Sequence, residues 1–85
     1  MSKHTPLEEI EAGWDGFERP VDGDYYRHYK GGEYEIVATG FFEKSKTPGV
    51  AYRSLEKDIV WFRTAKNFLE TVEYNGKTAP RFAKI

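Results

Sequence analysis

Between Tyr25 and Phe82 the apolar residues come in short runs, each broken by glycine, proline, asparagine or a charged cluster. Tyr25–Lys30 and Glu33–Phe42 are rich in aromatic and β-branched residues and meet at Gly31-Gly32, a pair that accepts positive φ in a two-residue hairpin loop. After the polar turn "EKSKTPG", Val50–Leu55 and Ile59–Arg63 predict a second hairpin around Glu56-Lys57-Asp58. "TAKNFLE" fits one turn of helix with Thr64 as its cap. "TVEYNGKTAPRF" predicts a fifth strand ending at Asn75-Gly76, then an extended tail through Pro80. Five short strands and one helical turn imply a mainly β fold, a small, strongly bent sheet closed into a barrel, because closure removes exposed edges.

The chain ahead of these strands has a different texture. Thr5, Pro6 and Glu8 stand in the order of an N-cap, a first-turn proline and a capping-box acid, which predicts a short helix ending near Ala12 and Gly13. "GWDGFERPVDGD" is dense in turn-forming residues and reads as irregular chain up to about Gly23. Residues 1–22 are thus an N-terminal extension and residues 23–85 the β-barrel domain. Trp14 and Phe17 are expected to tuck against that domain; exposed, they would form a peptide presented to a protein partner.

Assigning faces brings in chemistry. A two-residue turn at Gly31-Gly32 sets Lys30 against Glu33, His28 against Glu35 and Tyr26 against Val37 on one side of the hairpin. Tyr29 against Tyr34, Arg27 against Ile36 and Tyr25 against Ala38 then make the other, apolar side. Arg27 is the odd charge there, to be resolved by a rim position, an ion pair or a bound anion. His28 facing Glu35 is either a surface pair or the weak nucleus of a catalytic site, histidine being the side chain that titrates near neutrality. In the second hairpin, a turn at Lys57-Asp58 pairs Ser54 with Trp61 and Tyr52 with Arg63, and on the other side Leu55 with Val60 and Arg53 with Phe62. Aromatics beside arginines can stack bases or hold a ligand, or can be core edged by arginine stems, with Trp61 inside.

Composition narrows these options. Eighty-five residues make one domain with a small core, and the 16% aromatic content lets a few large side chains supply it. Cysteine is absent, so neither a disulfide scaffold nor a thiolate metal site is available, and two histidines, His4 and His28, do not make a metal site without carboxylates. No metal and no cofactor is expected, as Walker, dinucleotide, zinc and EF-hand patterns are all missing. No apolar run approaches a membrane span and the start has no signal-peptide centre, which predicts a soluble cytoplasmic protein. The net charge of −1 hides an asymmetry: residues 1–22 carry six acids and two bases, the rest eight acids and eleven bases. Such an acidic leader could fold over a basic face and compete with an anionic ligand.

The run Tyr26-Arg27-His28-Tyr29-Lys30-Gly31, with Glu33-Tyr34-Glu35, Tyr52-Arg53, Trp61, Arg63, Phe68 and Pro80-Arg81-Phe82, resembles the small bacterial family called domain of unknown function 1653. The resemblance spans about Gly23 to Phe82 and implies a compact SH3-like barrel, with no activity attached. Resembling sequences are expected to carry a histidine near Phe42 and a methionine before Phe68; Phe42 and Asn67 stand here. The expected function is a non-enzymatic binding module for an anionic ligand, whether nucleotide, nucleic acid or acidic partner. Its expected site is Arg27, Tyr29, Tyr52, Trp61, Arg63 and Arg81. The other expectations are a small enzyme using His28 and Glu35, or an interaction domain presenting Trp14 and Phe17.

Overall fold

A computed structural model describes residues 5–85; Lys3 and His4 lie outside the described residues. Helix α1 (Leu7–Ala12) is followed by β1 (Tyr25–His28), β2 (Glu33–Phe42), β3 (Thr47–Ser54), β4 (Val60–Thr64), α2 (Ala65–Leu69), β5 (Thr71–Tyr74), β6 (Lys77–Pro80) and β7 (Phe82–Lys84). The expected five strands are therefore seven. Asn75-Gly76, both at positive φ, turns a β5–β6 hairpin instead of ending a strand, and the tail after Pro80 returns to pair with β1.

The main sheet has the order β4-β3-β2-β1-β7, and β5-β6 forms a sheet of its own. Closure into a barrel, expected from the strand count, is not made, since β4 and β7 do not pair. The sheet nevertheless curls, because the Arg63 guanidinium of β4 lies 5.8 Å from the ring centre of Phe82 in β7. Helix α2 fills the space between: Phe68 is fully buried, stacked on Phe82 at 4.2 Å and in contact with Tyr26 and Tyr52 at 5.3 and 5.2 Å. With Ile36, Val50 and Ala65 these rings are the core. Thr64 caps α2 as predicted, its hydroxyl accepting from the Asn67 N–H at 3.1 Å.

Both hairpin registers differ from expectation, with unequal consequences. In the first, Arg27 faces Glu33, not Ile36, an offset of three residues, and Tyr26 faces Tyr34. Gly31 and Gly32 both take positive φ, but the loop is wider: the His28 N–H donates to the Gly32 carbonyl and the Gly31 N–H to the His28 carbonyl. An odd offset exchanges faces. It is favoured because it brings Tyr26, Tyr34 and Ile36 to the inner face together, where a two-residue turn would have left Tyr26 among charges. In the second, Tyr52 faces Trp61 and Val50 faces Arg63, an offset of two, and the faces stay as assigned. A bulge at Val37 shifts the β2–β3 register once more, so Ala38, Gly40 and Phe42 turn outward.

The leader docks. Helix α1 begins one residue later than predicted, with Pro6 at the N-cap and no side-chain cap from Thr5, since the Pro6 carbonyl accepts from the Glu9 and Ile10 N–H groups. Trp14 joins the core, Phe17 meets it edge-on at 6.4 Å, and Arg19 lies over the indole at 5.0 Å. The Trp14 side chain is consequently not available to a partner.

Candidate functional site

The strand-to-helix junction places Arg63 at the end of β4 and Asn67 one helical turn later. The Arg63 Nε–H donates to the Tyr52 hydroxyl at 2.7 Å and its Nη1 to the Asn67 amide oxygen. Arg81, between β6 and β7, donates through Nε to the Asn67 carbonyl at 3.0 Å and through Nη2 to Glu70 Oε2 at 3.3 Å. Asn67 therefore ties the two arginines together from both ends of its own residue. Glu70 neutralises Arg81, but among the described residues no carboxylate pairs with Arg63. Its partners are neutral, and the half-buried charge is left without a counter-ion.

His28 stands beside them. Its ring is edge-on to Phe82 at 5.0 Å and its Nδ1 accepts from the Lys30 N–H at 3.1 Å. A backbone N–H can only donate, so the neutral ring carries its proton on Nε2. Burial holds its pKa below the usual histidine value, helped by the charges of Arg63, Arg81 and Lys30. Three cations thus converge on one neutral imidazole. The Tyr52 phenol is pushed up by burial, against the pull of Arg63, so its hydroxyl stays protonated as part of the frame.

Four of the six expected binding residues share this face. Tyr52, Arg63 and Arg81 form the network just described. Trp61 faces Tyr52 but is 47% exposed, so it edges the site and Trp14 supplies the core tryptophan instead. Tyr29 adjoins through its ring, 4.5 Å from His28. Arg27 does not join: the odd register puts it on the outer face, where it pairs with Glu33 at 2.8 Å. The apolar-side placement of Arg27 was wrong for that reason alone. Glu35 is on the outer face as well, paired with Arg53, so the expected His28–Glu35 pair does not exist. The catalytic arrangement built on it loses its orienting carboxylate.

Tyr34, Lys30, Asn67 and Phe82 belong to the site and were not assigned to it from sequence. Tyr34 packs on Tyr52 and Phe82 at 5.4 and 5.5 Å. Only Asn67 carried a local signal, four residues after Arg63 across a cap, at the position where methionine was expected. Among the described residues no three His, Cys, Asp or Glu side chains are grouped to hold a metal, and no helix is long and apolar enough to cross a membrane.

A small, mainly β domain whose inner face ends in a cluster of arginines and aromatic rings is the class these features define. This chain belongs to the DUF1653 family of proteins of unknown function, whose model matches residues 24–84. It is also similar to the crystal structure of a DUF1653 protein from Bordetella bronchiseptica, with a TM-score of 0.67 and 28% identity over 78% of this chain and 87% of that one. No curated protein matches. The docked leader precedes the family match.

Proposed function

We propose that this domain is a binding module for a small anionic group, a phosphate above all, seated against Arg63, Arg81, Lys30 and neutral His28. The observation that carries the reading is Arg63, a half-buried guanidinium held by a phenol and an amide with no carboxylate partner among the described residues. Such a charge is costly unless an anion completes it, and a guanidinium's fork suits a phosphate. Tyr34 and Trp61 add ring surface beside the cations. In this reading the curled sheet is an SH3-like barrel opened between β4 and β7, and a cytoplasmic setting would supply the phosphorylated ligands.

The test is an NMR titration with inorganic phosphate and thymidine monophosphate. Binding raises the His28 pKa, because an added negative charge offsets the three cations, and it moves the Arg63 side-chain resonances. Arg63→Met abolishes both effects. No response of His28 or Arg63 at millimolar ligand would sink the proposal.

A further inference from the structure

A basic cleft adjoins the face that carries Arg63 and Arg81. It lies between the β1–β7 pair and the β5–β6 hairpin, encloses about 550 Å3, and is lined in part by Arg27, Tyr29, Tyr74, Lys77 and Lys84. Among the described residues no Asp or Glu side chain lines it. Arg27 and Lys84 have carboxylate partners outside the lining, Glu33 at 2.8 Å and Asp24 at 3.4 Å, while Lys77 has no ion pair among the described residues. His28 lines this cleft too, so the two sites share a wall. Their rings are continuous: Tyr74 meets Tyr29 edge-on at 5.1 Å, Tyr29 is 4.5 Å from His28, and His28 is 5.0 Å from Phe82.

We infer that this cleft and the Arg63–Arg81 face hold one ligand, a single strand of nucleic acid running from Lys77 and Tyr74 past His28 to Arg63 and Trp61. The inference rests on the anion-binding reading and extends it. A mononucleotide occupies the cleft or the arginine face and leaves the other's cations unused. A polymer that repeats an anion and a flat ring matches both, since each offers cations together with aromatic surface. An acidic peptide satisfies the lysines and arginines but has no use for the exposed faces of Tyr74 and Trp61, 44% and 47% accessible. Paired strands keep their bases stacked on one another, so stacking on these rings selects unpaired chain. Arg27 and Lys84 exchange a carboxylate for a phosphate on binding, and Lys77 gains a counter-ion.

The experiment titrates the whole chain with inorganic phosphate, thymidine monophosphate and hexathymidylate at several salt concentrations, following His28, Tyr74 and Lys77 by NMR. All three probes raise the His28 pKa. Only hexathymidylate moves Tyr74 and Lys77, and it binds at least about tenfold more tightly than the monophosphate, with a log–log salt slope of about −2 for roughly three phosphates neutralised. Lys77→Gln, a change on an exposed strand, weakens hexathymidylate about threefold, in keeping with one lost phosphate contact, and leaves the monophosphate unaffected. Hexathymidylate binding no tighter than the monophosphate, or leaving Tyr74 unmoved while phosphate still moves His28, overturns the single-strand inference and leaves the anion site standing. Equal affinity for hexa-aspartate also overturns it. Silence of His28 toward every probe removes the anion site and this inference together.

Discussion

At the scale of single residues, His28 and Arg63 are two responses to the same problem. Both sit half out of water next to other cations; the arginine keeps its charge by finding neutral acceptors, and the histidine gives its charge up. The second response makes folding depend on pH in a definite direction. Above about pH 6.5, the ordinary histidine value, His28 is neutral folded or unfolded and contributes no pH dependence. As pH falls through that value the unfolded chain takes up a proton the folded chain refuses, so stability declines until the lowered folded pKa is reached. Urea midpoints measured between about pH 7 and 5.5 should fall in the parent, and His28→Gln should flatten that decline. Bound phosphate should reduce it as well, since the anion offsets the cations that add to burial in lowering the folded value. A parent and variant with parallel profiles would show that His28 does not carry the decline.

At the scale of elements, the short helix α2 does more than its five residues suggest. Its Ala65 and Phe68 are fully buried, and its Asn67 joins Arg63 to Arg81, so the helix start sets both packing and site geometry. Thr64→Ala should cost about 1 kcal/mol of stability by removing the cap, and should also weaken phosphate binding. Thr64→Ser, which keeps the hydroxyl, should restore both; a loss of stability without any loss of affinity would separate the cap from the site. This element was legible beforehand because capping is local chemistry between residues three apart. The hairpin of Tyr25 to Phe42 was legible only in part. Its strands and its Gly-Gly turn were readable from composition and the need for positive φ, yet loop width was not, and width decided whether Arg27 or Tyr26 lay inward. The second hairpin tolerated a comparable error because its offset was even. Tyr52 and Arg63 were therefore correctly placed on one face, although their direct pairing was not what brought them together.

At the scale of the whole molecule, the leader closes the core of the β domain. Trp14 is buried in the same core cluster as Ile36 and Val50, and Arg19 covers its ring while bonding Glu11 at 3.1 Å and Thr39 at 3.0 Å. Trp14→Ala should cost about 3–5 kcal/mol, a large share of the stability of so small a domain. Trp14→Phe should cost much less, because the indole N–H has no acceptor to lose. Denaturant unfolding of the two variants checks the contrast, and equal, small losses would mean that the leader only rests on the surface. Among the described residues no acid of this leader pairs with Arg63 or Arg81, so competition with a ligand, one expectation from the charge asymmetry, has no contact behind it.

What depends on near neighbours was legible along the chain: the turn at Gly31-Gly32, the cap at Thr64, the strand-rich body and the aromatic supply for its core. Register, the open sheet and the meeting of Arg63, Arg81 and His28 were decided by tertiary structure. The physical reason is that strand side chains alternate every residue, so a single odd slip reverses a face, and only the burial of Tyr26, Tyr34 and Phe82 around Phe68 selects one register over the other. Arginines and a histidine distant in the chain then come together because the strands carrying them line the same curled face.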